Sequence, residues 1–330
     1  MCRIAKLSQV KDDTPMTAQS SDINQVDDRV TLGILLMLGF CAVAPLLDVA
    51  AKLAAPTIPV SQITTTRFLV QGVIMFPVCL WLRHPLTIER NVLGLLALRG
   101  LCLILATYCF VAAIAVMPIA DALAVVFIEP FILLVMGKWL FNEQVGRRRI
   151  SASVVGFAGV LLVIQPSFSV FGLVALFPLG TALAFAFYML VTRRLSRQMA
   201  PVPMQLHTAT LATAMCLPLL LWGHLSDHPT VHQLLSPVMP EGIAWLWLLG
   251  VGVFASLSHM LITYALRFAP SATLAPLHYL EMVSAVSFGY LVFGDLPNLL
   301  TLTGVVVIVG SGLYIFHRER LAEKATPNTG

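Results

Sequence analysis

Charged residues are scarce in this chain of 330 residues. They make up 11% of it, whereas hydrophobic residues make up 58% and the mean hydropathy is +0.88. So little charge excludes a single soluble domain, because one soluble core cannot enclose that much apolar surface. The apolar runs are continuous and do not alternate with polar residues, which excludes a membrane β-barrel. The composition therefore predicts an all-α integral membrane protein.

Several motifs are absent as well. None of the six cysteines forms a CxxC pair and most lie in apolar runs, so we assign no disulfide, no metal and no cofactor. Residues 1–29 lack the short apolar core of a cleavable signal peptide, and we predict a flexible cytoplasmic tail there. The net charge of +4 reflects orientation in the membrane, and we predict no nucleic-acid partner.

Apolar runs of roughly 17–25 residues recur along the chain, which is the length a helix needs to cross the hydrocarbon. We predict ten transmembrane helices. They cover residues 30–53, 58–82, 95–116, 119–140, 150–164, 171–192, 206–223, 243–266, 271–293 and 298–316.

Basic residues set the orientation, because cytoplasmic loops retain Lys and Arg. With ten helices and the N-terminus inside, the loops that contain Arg83, Arg148 and Arg194 all lie in the cytoplasm, as does a C-terminal tail over residues 318–330. The sequence therefore predicts a multi-pass protein of the inner membrane, with the lipid bilayer as a partner and both termini cytoplasmic.

Two acidic residues, Glu129 and Glu281, lie near the middle of apolar runs. A carboxylate at the bilayer centre costs about 3 kcal/mol on insertion scales, so each is a functional candidate by default. The two acids are counterparts in an internal repeat. The sequence offset between them also superimposes Pro118 on Pro270, Gly137 on Gly289 and Phe141 on Phe293.

The repeat divides the predicted helices into two sets of five, over residues 30–167 and 168–317. Because each half has an odd number of helices, the halves must enter the membrane in opposite senses. We therefore predict an inverted repeat, which is typical of secondary transporters whose substrate sites lie near the midplane between the halves.

The apolar runs and their ends contain a series of short motifs. They are Asp48-x-x-x-Lys52, Gln62, Arg67-Phe68-Leu69, Arg99, Pro118-x-Ala120-Asp121-Ala122 and Phe141-x-Glu143. In order and spacing this series resembles the EamA-type transporters of the drug/metabolite transporter superfamily. The resemblance implies ten helices, a cytoplasmic N-terminus, a central cavity between two five-helix halves, and transport of small metabolites. Glu129 departs from the family pattern, in which an apolar residue usually precedes the proline equivalent to Pro130.

A carrier of a hydrophilic solute needs polar groups that replace the hydration shell, and a coupled carrier needs a group that gains and loses a proton. Asp121 and Glu129 lie two turns apart on one face of the predicted fourth helix. His278 and Glu281 are three positions apart and share a face of the ninth. We predict that these residues bind substrate or protons. The alternative for each acid is a buried, hydrogen-bonded packing role.

Charged residues near helix ends form a second group of candidates. Asp48 and Lys52 are one turn apart and can pair, and Arg67 enters from the outer end of the second helix. These residues either hold helix ends together or gate the substrate. Glu143 and Asp295 end their helices at equivalent positions, where we expect capping or a gate contact.

Aromatic and histidine side chains are candidates for a cavity lining that stacks on a ligand or hydrogen-bonds it. They are His259 and Tyr264 on the eighth predicted helix, Thr107 and Tyr108 on the third, and Tyr188 on the sixth. The alternative for each is ordinary packing.

Glycines on the fifth and tenth predicted helices permit close backbone approach, as at Gly156, Gly159, Gly304 and Gly310. Such an approach joins either the two halves of one chain or the subunits of a homodimer. The sequence leaves both possibilities open.

Two other function classes bury polar groups in a membrane. An intramembrane protease would need a motif such as HExxH, which is absent, and Gly294-Asp295 lacks the further glycine of a membrane aspartyl protease. A narrow channel is usually lined by rings from several subunits, whereas this chain supplies its own repeat. We predict that the chain is not an enzyme but a carrier of an amino-acid-like or amine-like metabolite, with an aromatic vitamin such as riboflavin as the alternative substrate.

The charge asymmetry predicts a definite topology. Reporter fusions placed after Arg149, Arg197 and Arg320 should score cytoplasmic, and a fusion near Asp227 should score external. A pair of reporters active on opposite sides of the membrane makes the measurement. Finding the Asp227 and Arg197 fusions on the same side would contradict the ten-helix topology.

Overall fold

The computed structural model describes residues 17–129, 131–132, 135–136, 147–195, 198–269, 274 and 277–325. Within these ranges all regular structure is helical, and none of the described residues lies in a β-strand. The all-α prediction is therefore confirmed. Helices suit this composition because each one satisfies its backbone N–H and C=O groups internally, where lipid cannot.

The helices follow the order of the predicted apolar runs, with one short addition, α8, between the seventh and eighth. They are α1 (Thr17–Ala54), α2 (Val60–Trp81), α3 (Arg90–Ile114), α4 (Ile119–Val126), α5 (Arg147–Phe171), α6 (Phe177–Leu195), α7 (Pro201–Leu225), α8 (Pro229–Leu235), α9 (Ala244–Phe268), α10 (Leu280–Phe293) and α11 (Leu299–Ala325). A 3₁₀ helix over Gly172–Leu176 joins α5 to α6.

The start of α1 differs from the prediction. Residues 17–29, which we expected to be part of a flexible tail, are helical, whereas residues 1–16 lie outside the described part of the chain. An established helix extends readily, because each added residue gains one hydrogen bond without a new nucleation step.

Six stretches are long and apolar enough to cross a bilayer, and each corresponds to one of the ten predicted spans. Shorter apolar stretches occupy parts of α5, α10 and α11. The full count of ten stays a prediction, because the fourth and ninth predicted spans include residues outside the described ranges. The six are Val30–Ala54, Val60–Trp81, Arg90–Ile114, Phe168–Thr192, Pro201–Leu225 and Ala244–Ala265.

The predicted continuous helix over residues 119–140 is wrong at its centre. Helix α4 ends at Val126, a turn follows over residues 127–128, and Glu129 is again helical. The sequence indicates the cause. In a continuous helix, the ring of a proline at position 130 would clash with the carbonyl of the residue four positions earlier, which is Val126. The acid therefore lies next to a helix interruption.

The ninth predicted span has a comparable interruption. Leu277 and His278 are helical, Tyr279 is in a turn, and α10 begins at Leu280, one residue before Glu281. Both acids thus follow directly on a break in their helices. At such breaks backbone groups are freed from the helical ladder and can face a ligand.

Helices pack mainly across the two predicted halves. Helix α1 packs against α9 and α10, α3 against α6 and α7, α2 against α7 and α9, and α5 against α11. The main apolar core lies where α4 meets α10, with residues such as Val125, Phe127 and Met282. Large apolar side chains on the periphery, including Trp81 and Leu291, are exposed, as expected for a surface that faces lipid.

The contact between α5 and α11 depends on two glycines. A Cβ atom at Gly304 would lie 2.7 Å from the carbonyl oxygen of Gly159 and 2.6 Å from Cγ2 of Val163. A Cβ atom at Gly159 would lie 3.0 Å from the carbonyl oxygen of Gly304. These glycines therefore join two helices of the same chain, one from each predicted half.

We expect Gly304→Ala to lower the melting temperature of the detergent-solubilised protein. The added methyl group must displace backbone or neighbouring side chains, and overpacking of this kind costs about 1–3 kcal/mol. Gly310→Ala, on the same helix, is the matched control, because its Cβ atom would meet nothing within 4 Å. Equal melting temperatures for the two variants, measured by intrinsic fluorescence, would contradict the close packing.

Candidate functional site

The two glutamates occupy one buried acidic group together with His278. Glu129 and Glu281 are each 6% exposed, and Nε2 of His278 lies 2.9 Å from Oε2 of Glu281. Glu129 is within electrostatic range of both other residues. Its Oε1 atom has no hydrogen-bond partner among the described residues. One acid is therefore held by histidine, and the other keeps an oxygen free for a proton or a cation.

Aromatic rings enclose the histidine of this group. The ring of Phe40 lies 5.5 Å from that of His278, and the ring of Phe127 lies 5.8 Å from it in an edge-on arrangement. Phe127 also meets Tyr279 at 5.4 Å. Phe127 and Tyr279 are equivalent positions in the internal repeat, and each lies in the turn that precedes its glutamate. The two helix interruptions are thus packed against each other.

A second buried polar cluster surrounds Arg67. This residue is 3% exposed, donates to Oγ1 of Thr107, and places Nη2 3.2 Å from Nε2 of His259. Nδ1 of His259 lies 3.0 Å from the carbonyl oxygen of Ala255. Because a carbonyl only accepts and a guanidinium only donates, Nδ1 carries the proton and Nε2 accepts. The cluster joins α2, α3 and α9.

Asp48 lies between the two clusters. Its buried carboxylate is within electrostatic range of both Arg67 and Glu281, although it forms no ion pair with Arg67. Asp48 and Lys52 are able to pair by their spacing, but Lys52 forms its ion pair with a different acid. Side chains one turn apart on a helix can diverge toward different neighbours, and here tertiary contacts offer Lys52 a closer acid.

That acid is Asp295, whose Oδ2 lies 2.8 Å from Nζ of Lys52. Nζ also donates to the carbonyl oxygen of Met117 at 3.0 Å and lies 4.6 Å from the ring centre of Phe293. Asp121 is within electrostatic range of Lys52 and Asp295. Asp121, which we predicted to act with Glu129, therefore has its charged neighbours at the end of α1 and just after α10. The equivalent acid Glu143 lies outside the described residues.

Two predicted lining residues are not brought to either cluster. Tyr264 stacks on Phe268 at 6.1 Å and packs beside the apolar group of Met75 and Cys79. Tyr108 is half-buried, and no hydrogen bond of its hydroxyl is seen within the described ranges. Its neighbour Thr107 makes the contact with Arg67. Both tyrosines have surroundings that fit the packing alternative.

Sequence reasoning missed the role of Arg99, which it used only as a motif residue. Arg99 is fully buried, and its guanidinium lies 4.6 Å from the ring centre of Tyr188. The signal was an arginine within a predicted apolar run. Its donors reach Thr192 at 2.9 Å, Thr208 at 2.5 Å, the hydroxyl of Tyr188 at 2.7 Å and Oε1 of Gln205 at 2.9 Å.

Comparison with known proteins identifies a family. The model of the EamA-like transporter family matches residues 31–165 and again residues 172–316. A solved crystal structure with 18% sequence identity superimposes with a TM-score of 0.56, covering 88% of this chain and 98% of that chain. This likeness shows a shared fold.

Several curated proteins are similar in sequence. An S-adenosylmethionine uptake transporter of Rickettsia bellii is 23% identical over 83% of this chain and 90% of its own length. A pseudopaline exporter of Pseudomonas aeruginosa is 24% identical over 86% and 95%. A riboflavin transporter of Vibrio cholerae is 31% identical over 61% and 64%.

The ion pair between Lys52 and Asp295 allows a double-mutant test. We expect Lys52→Met and Asp295→Asn each to lower the melting temperature, because each leaves one partly buried charge without its partner. The double variant should be no less stable than either single variant. Strictly additive losses, measured on the three proteins in the same detergent, would show that the two side chains do not stabilise each other.

Proposed function

The chain belongs to the EamA-like transporter family, and on this basis we propose that it is a secondary active transporter. It moves a small polar metabolite, amino-acid-like or amine-like, across the inner membrane by alternating access. Transport is coupled to protons. The family and the names of its relatives indicate a transporter and not an enzyme.

The observation that carries this proposal is the acidic group of Glu129, His278 and Glu281. Two buried carboxyl groups from the two halves lie within electrostatic range of each other. Glu281 is paired with His278, whereas Oε1 of Glu129 has no hydrogen-bond partner in the part of the chain that the structure describes. Placing a charged side chain inside the bilayer costs free energy, so two such carboxyl groups indicate a functional role more than a structural one. An oxygen without a partner can accept a proton or a positively charged group of a substrate.

The helix pairings support an inverted repeat over residues 30–167 and 168–317. In the predicted repeat α1 corresponds to α6, α2 to α7, α3 to α9 and α5 to α11. Exchanging each helix for its counterpart turns the pairing of α1 with α9 into that of α6 with α3. It turns the pairing of α2 with α9 into that of α7 with α3, and all of these pairings are present. The pairings of α2 with α7 and of α5 with α11 map onto themselves. Two such halves can rock about a site between them, with both termini on the cytoplasmic side.

The names of the relatives differ in transport direction and in substrate, so the arguments for this chain come from its candidate site. One is named for uptake and another for export, so the family alone favours neither direction. Charged groups at the centre favour a substrate that carries charge itself. The alternative substrate is an aromatic vitamin such as riboflavin, which is favoured by the rings of Phe40, Phe127 and Tyr279 around His278 and by the name of the Vibrio cholerae relative.

A thermal-shift screen of the purified protein against a metabolite library identifies compounds that bind, and a flux assay in proteoliposomes selects one that is transported for the decisive experiment. Proteoliposomes are then given a pH gradient, and accumulation of that compound is measured with radiolabel. We expect Glu129→Gln and Glu281→Gln each to abolish gradient-driven accumulation, because glutamine keeps the shape of glutamate but cannot release a proton. Normal folding is verified by size-exclusion chromatography.

Glu241→Gln is the matched control, since this glutamate is exposed in the loop before α9. It should accumulate the compound like the unaltered protein. Full gradient-driven accumulation by both buried variants would exclude proton coupling through these acids. Accumulation of riboflavin, with no charged metabolite transported, would favour the alternative substrate.

A further inference from the structure

Arg67 differs from the other fully enclosed arginine in how its donors are used. All hydrogen bonds of Arg99 go to four neutral acceptors, with every guanidinium nitrogen engaged. In Arg67, Nη1 and Nη2 each meet one neutral acceptor, and the buried Nε has no partner among the described residues. Every guanidinium nitrogen of Arg99 therefore has an acceptor within the protein, whereas the Nε–H group of Arg67 can still donate a hydrogen bond to a ligand.

The charge of Arg67 is also uncompensated by direct contact. The described part of the chain places no carboxylate within ion-pair distance of its guanidinium. Asp48 acts on it electrostatically across a gap. A buried cation is normally paired with an acid, because water is no longer available to solvate it. A bound anionic group would supply the missing partner.

The position of Arg67 fits a ligand that enters between the halves. Its neutral contacts come from Thr107 on α3 and His259 on α9, so the guanidinium lies where helices of both halves meet. A guanidinium presents its donors as a planar fork that matches a carboxylate in a bidentate geometry. The free Nε and one Nη atom form one edge of that fork.

A pole of opposite charge lies nearby. Asp48 is within electrostatic range of both Arg67 and Glu281, and Glu281 is within range of Glu129. The free Oε1 of Glu129 is an acceptor for a positively charged group. The interior therefore offers a donor edge at Arg67 for an anion and, within electrostatic range of it, the buried carboxylate of Asp48 as an acceptor for a cation.

We propose that Arg67 binds the carboxylate of a zwitterionic substrate whose ammonium group is bound beside it by the carboxylate of Asp48. The substrate class is a small α-amino acid or a derivative that keeps both charges. This assignment rests on the proposed function, which it makes more specific. Thr107 and His259 hold the guanidinium in place until the carboxylate arrives.

The test is a ligand series measured on the purified protein by thermal shift and, for compounds that bind, by isothermal titration calorimetry. The probes are the proteinogenic amino acids, each compared with its decarboxylated amine, its methyl ester and its N-acetyl derivative. We expect at least one amino acid to bind. Its amine, ester and N-acetyl forms should each bind about tenfold more weakly or worse, since each loses one charge-assisted contact.

Arg67→Gln gives a readout that a merely structural role would not produce. It should weaken binding of the amino acid about tenfold or more, while the affinity for the methyl ester stays unchanged, because the ester does not use the guanidinium charge. Arg90→Gln, at an exposed position at the start of α3, is the matched control and should change neither affinity.

Three results would overturn the assignment. The amine or ester could bind as tightly as the amino acid, the variant could weaken amino acid and ester equally, or no amino acid in the series could bind. If Arg67→Gln does not fold, the ligand series on the unaltered protein decides alone. Selective binding of an amino acid without gradient-driven transport would instead contradict the proposed proton coupling and leave the carboxylate site standing.

Discussion

A charge inside a bilayer must find its partner within the protein, because lipid supplies neither hydrogen bonds nor counter-ions. The contact between His278 and Glu281 meets this requirement at the centre of the molecule. It depends on the interruptions that precede Glu129 and Glu281, since these pack the turns of two helices against each other through Phe127 and Tyr279. The acidic group and the packing of the two halves are consequently one structural feature.

Two buried arginines differ in the partners that replace water around the guanidinium group. Arg99 uses four neutral acceptors and the ring of Tyr188, and so ties α3 to α6 and α7. Arg67 has fewer acceptors and only a distant acid, so part of its donor capacity stays open. The first arrangement stabilises a fold, whereas the second suits a site that must bind and release a charged group.

The ion pair of Lys52 with Asp295 adds a contact that joins the two halves away from the acidic group. It connects the end of α1 to the residues just after α10, and Asp121 lies within its electrostatic field. A contact that is only partly buried can exchange its partners for water at modest cost. In the alternating-access mechanism that we propose, such a contact is suited to a region that separates during transport.

The sequence by itself determined the helical class, the family, the buried acids and their equivalence in the repeat. Composition and the length of the apolar runs indicate the helical class, and the resemblance of short motifs indicates the family. The acids are evident from their positions within apolar runs, and their equivalence comes from the alignment of the chain with itself. The interruption before Glu129 was also within reach, because Pro130 predicts it. The contact of His278 with Glu281 could be predicted because the two residues are three positions apart and share a face of one predicted helix.

Only the tertiary structure decided which charges meet across helices. Lys52 pairs with Asp295 and not with Asp48, Arg67 meets His259, and Arg99 is enclosed by α6 and α7. These partners are far apart in the sequence, and their proximity results from how the helices pack. Intrahelical spacing can show that two side chains are able to meet, but the choice among several possible partners depends on distances that only the packed helices fix.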